Sequence, residues 1–540
     1  MEAKKKMNSF EETKEHNGPI EKYQNLRTEQ KSNVKNSVWR LVFVGLLLLA
    51  QIFWTIFVLN FLNNYSTLIT IFTTIMEVLV VLTIYGRHIN SAFKLPWIML
   101  IMAFPIVGLF LYLTMGTPNN TKSMRLRYSK IDAKLFPSLS QDKRTFEELE
   151  KLDLSIANQA RYIRDYAMYP IYDNNKITYY SEAADAIEAQ KAELIKAKKF
   201  IFMEYHAIED GSSFAGIKEI LAKKAAEGVE VRLFYDDVGS IGFIDPGFIR
   251  RMEAVGVKCR VFNPVSALFN IFMNNRDHRK ITVIDGKVGF VGGYNLANEY
   301  FNITHPYGYW KDTGIRMEGS SVKSLTVMFL EMWNAVRKSD IDDTSFDKFI
   351  FDYKYEGLAN GYIQPYADSP LDNEHVGEDV YMNILKNAKK YCYFITPYLI
   401  TTDEMTREIC NASKRGVDVR IITPGIPDKK LIYQVTRSYY NRFVRNGVKI
   451  YEYAPGFCHA KMCISDDETA TVGTINLDFR SLYLDFENGC FLYKVNCIKN
   501  IKEDFADTFA VSEDVSKKYM HQSRIVRSWQ CCLRLFSPLM

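Results

Sequence analysis

The chain has 540 residues, enough for two or three domains with a substantial hydrophobic core. A formal net charge of +5 is small for this length, so nucleic acid is not expected as a partner. The nine cysteines follow no disulfide pattern, which predicts reduced thiols, and no metal-ligand spacing such as C-x-x-C stands out among them.

The N-terminal part of the chain has the composition of a tail followed by a membrane anchor. Residues 1–40 are polar and predict a flexible tail on the cytoplasmic side. Apolar runs follow at 41–62, 68–85 and 96–115, each close to the roughly 20 residues that a helix needs to cross a bilayer. We therefore expect residues 41–116 to form a permanent, multi-pass anchor in a cell membrane, not a cleaved signal peptide.

The charges beside these runs leave the topology of the anchor open. Basic residues before the first run and between the second and third favour the cytoplasm, and so does the basic cluster at 122–130. Three complete crossings would not satisfy all of them. The third run contains Pro96, Pro105 and Gly108, so it is either a full span or a re-entrant segment. The reduced thiols favour a cytoplasmic position for the part of the chain that follows the anchor.

Beyond an expected linker at 117–169, helix and strand patterns alternate as in α/β domains. One helix is expected to begin at the N-cap Ser181, and a second, Phe214 to Glu227, to end at Gly228. The strand patterns KFIFMEY, VEVRLFYDD and GVKCRVFNP recur in the same order as KYCYFITPY, GVDVRIITP and GVKIYEYAP. We therefore predict two homologous α/β lobes, at 170–355 and 356–515, and a C-terminal segment at 516–540.

A polar motif also occurs twice, in RDHRKITVIDGKVGFVGGYN and in CHAKMCISDDETATVGTIN. A single His-x-Lys is usually a surface feature, and Gly-x-x-Asn is usually a turn. Chance is a poor explanation for two copies in a chain with eight histidines. The five shared positions, which recur 181 residues later, are His278, Lys280, Asp285, Gly292 and Asn295 in the first copy and His459, Lys461, Asp466, Gly473 and Asn476 in the second.

These residue types suit attack on a phosphodiester. One imidazole is a nucleophile near neutral pH, and a second, protonated imidazole gives a proton to the leaving alcohol. In each motif His and Lys alternate along a predicted strand and share one face, and the lysines and asparagines would bind the charged oxygens. Asp285 and Asp466 are expected to pair with a lysine, although Asp285-Gly286 is also a good hairpin turn, which gives Asp285 a structural alternative. Asp312 and Glu487, in corresponding places after the motifs, are candidates to orient the imidazoles.

At these residues the sequence resembles the phospholipase D superfamily and, more narrowly, the bacterial cardiolipin synthases. QPYADSPLDNE, ITPYLI and the third apolar run share this resemblance, which covers about Phe93 to the C-terminus. The polar tail before Ser37 lies outside it. A long insert between Asn295 and Asp312 also departs from the family pattern and weakens the assignment of Asp312.

The resemblance implies a bilobed fold with one shared site and no cofactor or metal. It implies that one phosphatidylglycerol gives its phosphatidyl group to another, releasing glycerol, through a phosphohistidine. By resemblance His278 is the nucleophile and His459 the acid and base, although the near-symmetry leaves these roles interchangeable. A hydrolase, a transferase that uses another alcohol or phospholipid, and an inactive scaffold are the alternatives. Phosphatidylglycerol and membrane lipids are the expected partners, and the oligomeric state stays open.

The C-terminal stretch SRIVRSWQCCLRLFSPLM has the pattern of a basic amphipathic helix. Such a helix either lies at an interface with anionic lipid or packs on the domain as an ordinary terminal helix. The apolar face would consist of Ile525, Val526, Trp529, Cys532, Leu533 and Phe536, with Arg524, Arg527 and Arg534 largely off it.

Overall fold

The computed structural model describes residues 67–116, 122–264, 275–336, 346–372, 374–521, 523–535 and 537–539, with five single residues between 46 and 57. The expected tail (1–40) and, apart from those five residues, the first apolar run (41–62) lie outside the described residues.

The described chain alternates helices and strands. The α-helices are α1 (Thr67–Tyr85), α2 (Ser91–Ala103), α3 (Pro105–Met115), α4 (Lys122–Leu135), α5 (Lys143–Leu152), α6 (Leu154–Tyr166), α7 (Ala183–Leu194), α8 (Ser212–Ala226), α9 (Asp237–Ser240), α10 (Phe248–Ala254), α11 (Val322–Ala335), α12 (Val376–Asn387), α13 (Asp403–Lys414), α14 (Lys430–Val444), α15 (Phe479–Tyr483), α16 (Ile498–Ala510), α17 (Ser516–Met520) and α18 (Arg524–Arg534). The strands are β1 (Tyr172–Asp173), β2 (Lys176–Tyr180), β3 (Phe200–Tyr205), β4 (Glu230–Asp236), β5 (Lys258–Phe262), β6 (Lys280–Ile284), β7 (Val288–Gly292), β8 (Tyr309–Lys311), β9 (Gly314–Glu318), β10 (Tyr362–Asp368), β11 (Tyr391–Ile395), β12 (Leu399–Ile400), β13 (Asp418–Pro424), β14 (Lys449–Tyr453), β15 (Gly456–Cys458), β16 (Met462–Ser465), β17 (Thr469–Gly473), β18 (Leu477–Asp478), β19 (Glu487–Tyr493) and β20 (Ser512–Asp514).

Two mixed sheets with the same strand order form the two lobes. The first sheet runs β2-β9-β7-β6-β3-β4-β5, and the second contains the corresponding series β10-β19-β17-β16-β11-β13-β14. Strand β1 and strand β20 extend the second sheet at its two edges. In both sheets the three recurrent strands found in the sequence are parallel neighbours. The prediction of two homologous α/β lobes is therefore confirmed.

The lobes share one hydrophobic core, whose centre is helix α11. All but one of its side chains are buried, because the helix packs on strands of both sheets. The segment 117–169, expected to be a linker, contributes to the same core through α4, α5 and α6. Tyr128, Ile131 and Leu135 are buried at helical spacing, so this segment is part of the folded body and the linker prediction is wrong.

The described part of the apolar N-terminus consists of α1 and a helical hairpin, α2 and α3, which is broken at Phe104. The hairpin is tight, since a Cβ at Gly108 would lie 2.6 Å from the Cα of Ile101. Phe93 packs edge-on against Phe479 and Tyr483 of the second lobe, with ring centroids 5.7 and 5.4 Å away. Among the described residues, no helix combines the length and the apolar character needed to cross a membrane.

The predicted helix ends agree closely with the structure. Helix α8 ends at Ala226, and Gly228 has the positive φ of +88° typical of a residue that terminates a helix. Helix α7 begins after Glu182, not Ser181. The Glu182 side chain accepts a hydrogen bond from Tyr309, so this residue is bound to the site-facing strand β8 and does not cap the helix.

Candidate active site

His278 lies just before β6 and is held by the second lobe. Its backbone N–H donates to the carbonyl of Phe486 at 2.9 Å. Its imidazole Nδ1 is 2.8 Å from Glu487 Oε1. The Glu487 carboxylate also accepts a hydrogen bond from the Thr474 hydroxyl. The partner of this first-lobe histidine is thus a carboxylate 209 residues further along the chain.

His459 has the reciprocal arrangement. Strand β15 pairs with β8 of the first lobe, and the backbone N–H of His459 donates to Lys311 at 2.7 Å. The imidazole Nδ1 is 2.6 Å from Asp312 Oδ2. Asp312 follows β8 directly, so the short inter-lobe ladder places both the imidazole and its carboxylate.

The two carboxylates are therefore exchanged between the lobes. Each follows the motif of its own lobe in the sequence, as predicted, but each contacts the histidine of the other lobe. Both histidine side chains are largely buried, with exposed fractions of 12% and 8%, and both carboxylates are fully buried. Because each lobe supplies one partner to each pair, both imidazoles lie at the same inter-lobe surface.

The motif lysines lie beside their histidines. Lys280 Nζ donates to the carbonyl of His278 at 2.6 Å. Lys461 Nζ donates to the carbonyl of His459 at 2.5 Å and lies 2.7 and 2.8 Å from the two ring nitrogens. The alternating pattern predicted that these residues lie within strands. In the structure, His278 precedes β6, and both His459 and Lys461 precede β16.

Burial and mutual repulsion set the charges of these groups. Burial lowers the pKa of Lys280 to about 8, although Glu487 and other carboxylates oppose the shift. Burial also lowers the pKa of Lys461 to about 7. The charge of Lys280 adds to this shift, and the Asp312 carboxylate opposes it. The effect of Lys280 on Lys461 means that the two lysines are close enough to repel each other, which an anion placed between them would relieve.

The pKa values of both histidines are lowered. Burial and then Lys280 hold the pKa of His278 well below its usual range, and Lys461 and His459 of the other lobe add to this shift. Burial and Lys461 lower the pKa of His459 to about 3, although Asp312 opposes them. The two imidazoles and two lysines therefore share one electrostatic environment.

The two orienting carboxylates differ in charge state. Burial raises the pKa of Glu487 well above its usual range, and Lys280 only partly opposes this shift. Burial would also raise the pKa of Asp312, but His459 and Lys461 outweigh it and hold that pKa below its usual value. His459 thus faces an anion, whereas the partner of His278 is readily protonated.

Asp285 and Asp466 do not pair with the motif lysines, and this expectation is corrected. The Asp285 carboxylate accepts hydrogen bonds from the backbone amides of Lys198, Lys199 and Phe200 at 2.7–2.9 Å. Asp466 does the same with the amides of residues 389–391. Five residues of extended chain, roughly 16 Å, separate Asp285 from Lys280, so the aspartate binds the start of β3 at the far end of the sheet.

The two asparagines differ. Asn295 is committed to the protein, since its Oδ1 accepts from the Ala207 amide at 3.1 Å and its Nδ2 donates to the Tyr300 hydroxyl at 2.8 Å. Asn476 is also buried, and its Oδ1 has no hydrogen-bond partner. Of the pair, Asn476 has the amide that is less engaged by the protein.

Several neighbours of the histidines had not been singled out in the sequence. The His206 ring lies 5.0 Å from the His278 ring, and its Nδ1 bonds to the carbonyl of Asp277 at 2.7 Å. The rings of Trp310 and Tyr300 lie 5.1 and 5.3 Å from His459. The sequence signal available for His206 was its position directly after the buried strand β3. The aromatic residues belong to the insert before Asp312, whose path the sequence does not specify.

Positive charge at this surface comes from lysine side chains. Across the residues that the structure describes, no group of three or more His, Cys, Asp and Glu side chains is arranged to hold a metal ion.

Comparison with known proteins places this arrangement in a family. The family model described as "Cardiolipin synthase, PLD-like domain" matches residues 191–333 and 381–509, two segments that contain both motifs and both orienting carboxylates. The chain belongs to the cardiolipin synthase family. A cardiolipin synthase of Halalkalibacterium halodurans is 31% identical over 92% of this chain and 97% of its own length.

Other relatives agree in extent. Cardiolipin synthase 1 of Staphylococcus aureus strain COL is 30% identical over 89% of this chain and 99% of its own length. An uncharacterized protein of Streptococcus mutans is 40% identical over 85% of this chain and 99% of its own length. The crystal structure of phosphatidylserine synthase from Haemophilus influenzae has a TM-score of 0.54 at 12% identity, covering 70% of this chain and 99% of that chain, which supports the two-lobed fold.

Proposed function

We propose that the protein is a membrane-bound cardiolipin synthase, which transfers the phosphatidyl group of one phosphatidylglycerol to another and releases glycerol. The observation that carries this proposal is the pair of crossed contacts, His278 with Glu487 and His459 with Asp312, which bring both motifs to one surface. Two imidazoles and two lysines at one surface suit in-line displacement at phosphorus.

In the first half-reaction His278 is the nucleophile. Its Nδ1 is bound by Glu487, which leaves Nε2 to attack the phosphorus of the first lipid. As the N–P bond forms, the bond from phosphorus to the glycerol headgroup oxygen breaks, and His459 gives its proton to that oxygen. Lys280 and Lys461 neutralise the charge that grows on the non-bridging oxygens.

In the second half-reaction the headgroup hydroxyl of another phosphatidylglycerol attacks the phosphorus. The neutral His459 takes the hydroxyl proton, the N–P bond breaks, and cardiolipin leaves with His278 restored. The phosphohistidine conserves the energy of the broken phosphodiester bond, so no nucleotide is needed.

The unequal carboxylates support this division of roles. The anionic Asp312 stabilises a protonated His459, which the acid step requires, and a bound phosphodiester cancels the positive potential that lowers the pKa of His459. Glu487, whose pKa is raised, stabilises a protonated His278 less, so His278 stays a neutral nucleophile.

Transfer must compete with hydrolysis, because water could also attack the phosphohistidine. The burial of both imidazoles and the aromatic rings of Tyr300 and Trp310 beside His459 favour exclusion of water. Asp285 and Asp466 support the sheets, and Asn476, whose Oδ1 has no hydrogen-bond partner, is the less engaged of the two asparagines.

The apolar N-terminal helices would hold this site at the surface of the cell membrane. On α1 the side chains of Ile71, Phe72 and Leu82 are more than half exposed, which lipid would cover. Because the hairpin packs on Phe479 and Tyr483, shortly before Glu487 in the chain, membrane insertion would bring the acceptor lipid close to the site.

The test is product analysis with the purified full-length protein in detergent micelles. Phosphatidylglycerol labelled in its acyl chains should give cardiolipin, with one glycerol released per cardiolipin. Phosphatidic acid as the sole labelled product would mean a hydrolase and would overturn the proposal. Added phosphatidylethanolamine tests the alternative acceptor, and a mixed phosphatidyl product in preference to cardiolipin would identify a different transferase.

A further inference from the structure

A second charged site lies away from the histidines, between α14 and the C-terminal helix α18. A cavity of about 810 Å³ opens there, and its lining contains four arginines and no carboxylate. The arginines are Arg442 and Arg445 from the end of α14 and Arg527 and Arg534 from α18. Serine, asparagine and glutamine side chains complete the lining, so nearly every group that faces the cavity can donate a hydrogen bond.

The positive charge of this cavity is largely uncompensated. Arg442 contacts Asp403 at 3.2 Å, but the Asp403 side chain is 91% exposed and this pair is weak in water. Within the described chain, no salt bridge forms at Arg445, Arg527 or Arg534. Four guanidinium groups around one opening repel each other unless an anion binds between them, and planar guanidinium groups suit phosphate oxygens.

The outer edge of the same helix is apolar. Ile525 and Trp529, one turn apart on α18, are 84% and 61% exposed, and Val526 beside them is 44% exposed. Leu533, in contrast, is buried against the core. The helix therefore packs on the domain through Leu533 and leaves Ile525 and Trp529 exposed, so the interface with anionic lipid stays a prediction.

The C-terminal end of α18 lies next to the apolar N-terminal helices. The terminal turn Ser537–Leu539, which follows α18, contacts helix α2 of the apolar N-terminal hairpin and helix α15 beneath it. The C-terminal end of α18 is thus close to the apolar N-terminal hairpin. An interfacial helix places its apolar edge among acyl chains and its arginines at the depth of the phosphates.

We propose that the arginine-lined cavity between α14 and α18 binds the phosphate groups of anionic phospholipids, and so seats the second lobe on the membrane surface. The occupant is the headgroup region of a membrane lipid, because the exposed Ile525 and Trp529 would have no partner if the ligand were a soluble phosphate. This site is separate from the histidines and does not depend on the reaction proposed above.

The chain contains its own reporter for this site. Seven of the nine cysteines are buried, and the two exposed ones are Cys531, which lines the cavity, and Cys532. In a Cys532→Ser background, Cys531 is the single exposed thiol. The full-length protein is placed in nanodiscs, and the rate of Cys531 modification by the uncharged reagent N-ethylmaleimide is measured by mass spectrometry at fixed pH.

Phosphatidylserine in the nanodisc should slow modification of Cys531 relative to neutral phosphatidylcholine. Arg445→Gln/Arg527→Gln should weaken the apparent affinity for phosphatidylserine by about 30-fold, the factor expected when two arginines are removed from an anionic surface. Arg445→Lys/Arg527→Lys, which keeps the charge, should retain most of the protection. This variant distinguishes loss of the charges from loss of folding. The matched control Arg250→Gln/Lys223→Gln, which removes two exposed charges from the first lobe, should behave as the parent.

Three outcomes would overturn the proposal. One is equal modification rates in neutral and anionic nanodiscs. Another is protection that survives in Arg445→Gln/Arg527→Gln or disappears equally in the control pair. The third is protection by inorganic phosphate alone in neutral nanodiscs, which would assign the cavity to a soluble anion.

Discussion

At the level of single side chains, the unequal carboxylates give the most specific prediction. Asp312→Asn should lower kcat by about 10³–10⁴-fold, because the imidazolium of His459 loses the anion that orients and stabilises it. Glu487→Gln should cost clearly less, since Glu487 is readily protonated and a glutamine oxygen still accepts from Nδ1. Steady-state kinetics on phosphatidylglycerol in micelles measures both. Equal losses would contradict the difference between the two carboxylates, and a larger loss in Glu487→Gln would reverse the assignment of roles.

A second prediction concerns Asp285, which has a structural position. Asp285→Ala should lower the free energy of unfolding by about 2–4 kcal/mol, because three backbone amides lose a charged acceptor. It also has a φ of +52°, which alanine adopts poorly and asparagine adopts well. Asp285→Asn should therefore recover part of the stability in thermal unfolding. The kcat of the folded fraction should stay near the parent value, and a selective loss of kcat would place Asp285 in the chemistry after all.

The lowered pKa values of the motif lysines predict how kcat/KM depends on pH. In the proposed reaction Lys280 and Lys461 bind phosphate as cations, and burial lowers their pKa values to about 8 and about 7. The cationic forms are lost as the pH rises through these values, so kcat/KM should fall on the alkaline side of neutrality. A pH profile of kcat/KM that stays level through pH 9, about one unit above the higher value, would contradict these protonation states.

The sequence identified the histidines because the repeat supplied two copies at one fixed step. It could not pair them with their carboxylates, because Asp312 and His459 are 147 residues apart and contact only through the inter-lobe ladder. The sequence also could not predict the hydrogen-bond partners of Asp285, because they are backbone amides 85–87 residues earlier in the chain. Side-chain type and spacing indicated which residues matter, and the fold decided what each one touches.

At the level of secondary structure, the short ladder between β8 and β15 controls the position of His459. Gly456 pairs with Tyr309 there, and an added Cβ would lie 2.3 Å from the Tyr309 carbonyl oxygen. Gly456→Ala should displace the ladder, at a cost of about 1–3 kcal/mol in stability and with a marked fall in kcat. The matched control is Gly242→Ala, because a Cβ at Gly242 meets nothing within 4 Å. Parent-like kcat in Gly456→Ala would mean that the ladder does not position His459.

The elements also show why the segment 117–169 was misjudged. Tyr128, Ile131 and Leu135 have the spacing of a helix face, but the intervening residues are mostly charged or polar. A single buried stripe of this kind has low overall hydrophobicity, and only the surface it packs against distinguishes it from a polar linker. By contrast, the recurrent strands are largely apolar and could be placed to within a few residues.

Considered across the entire chain, the lobes depend on each other. One hydrophobic core runs from the first sheet through α11 to the second sheet, and Lys311 of β8 forms a buried ion pair with Asp504 of α16 at 2.7 Å. We therefore expect the described body to unfold in one cooperative transition. Calorimetry in detergent, with tryptophan fluorescence as a second probe, measures this. Two separate transitions would mean that the lobes are independent domains joined at a weak surface.

The most direct test of the shared site is to trap the covalent intermediate. Full-length protein is mixed with radiolabelled phosphatidylglycerol, quenched in alkali during turnover, and digested for peptide mapping. The phosphoryl label should be on the peptide that contains His278, and His278→Ala should abolish both label and product. His459→Ala should remove product formation without moving the label to another peptide. Label on neither histidine during turnover, or cardiolipin made by both alanine variants, would contradict a mechanism in which two imidazoles act in turn on one phosphorus.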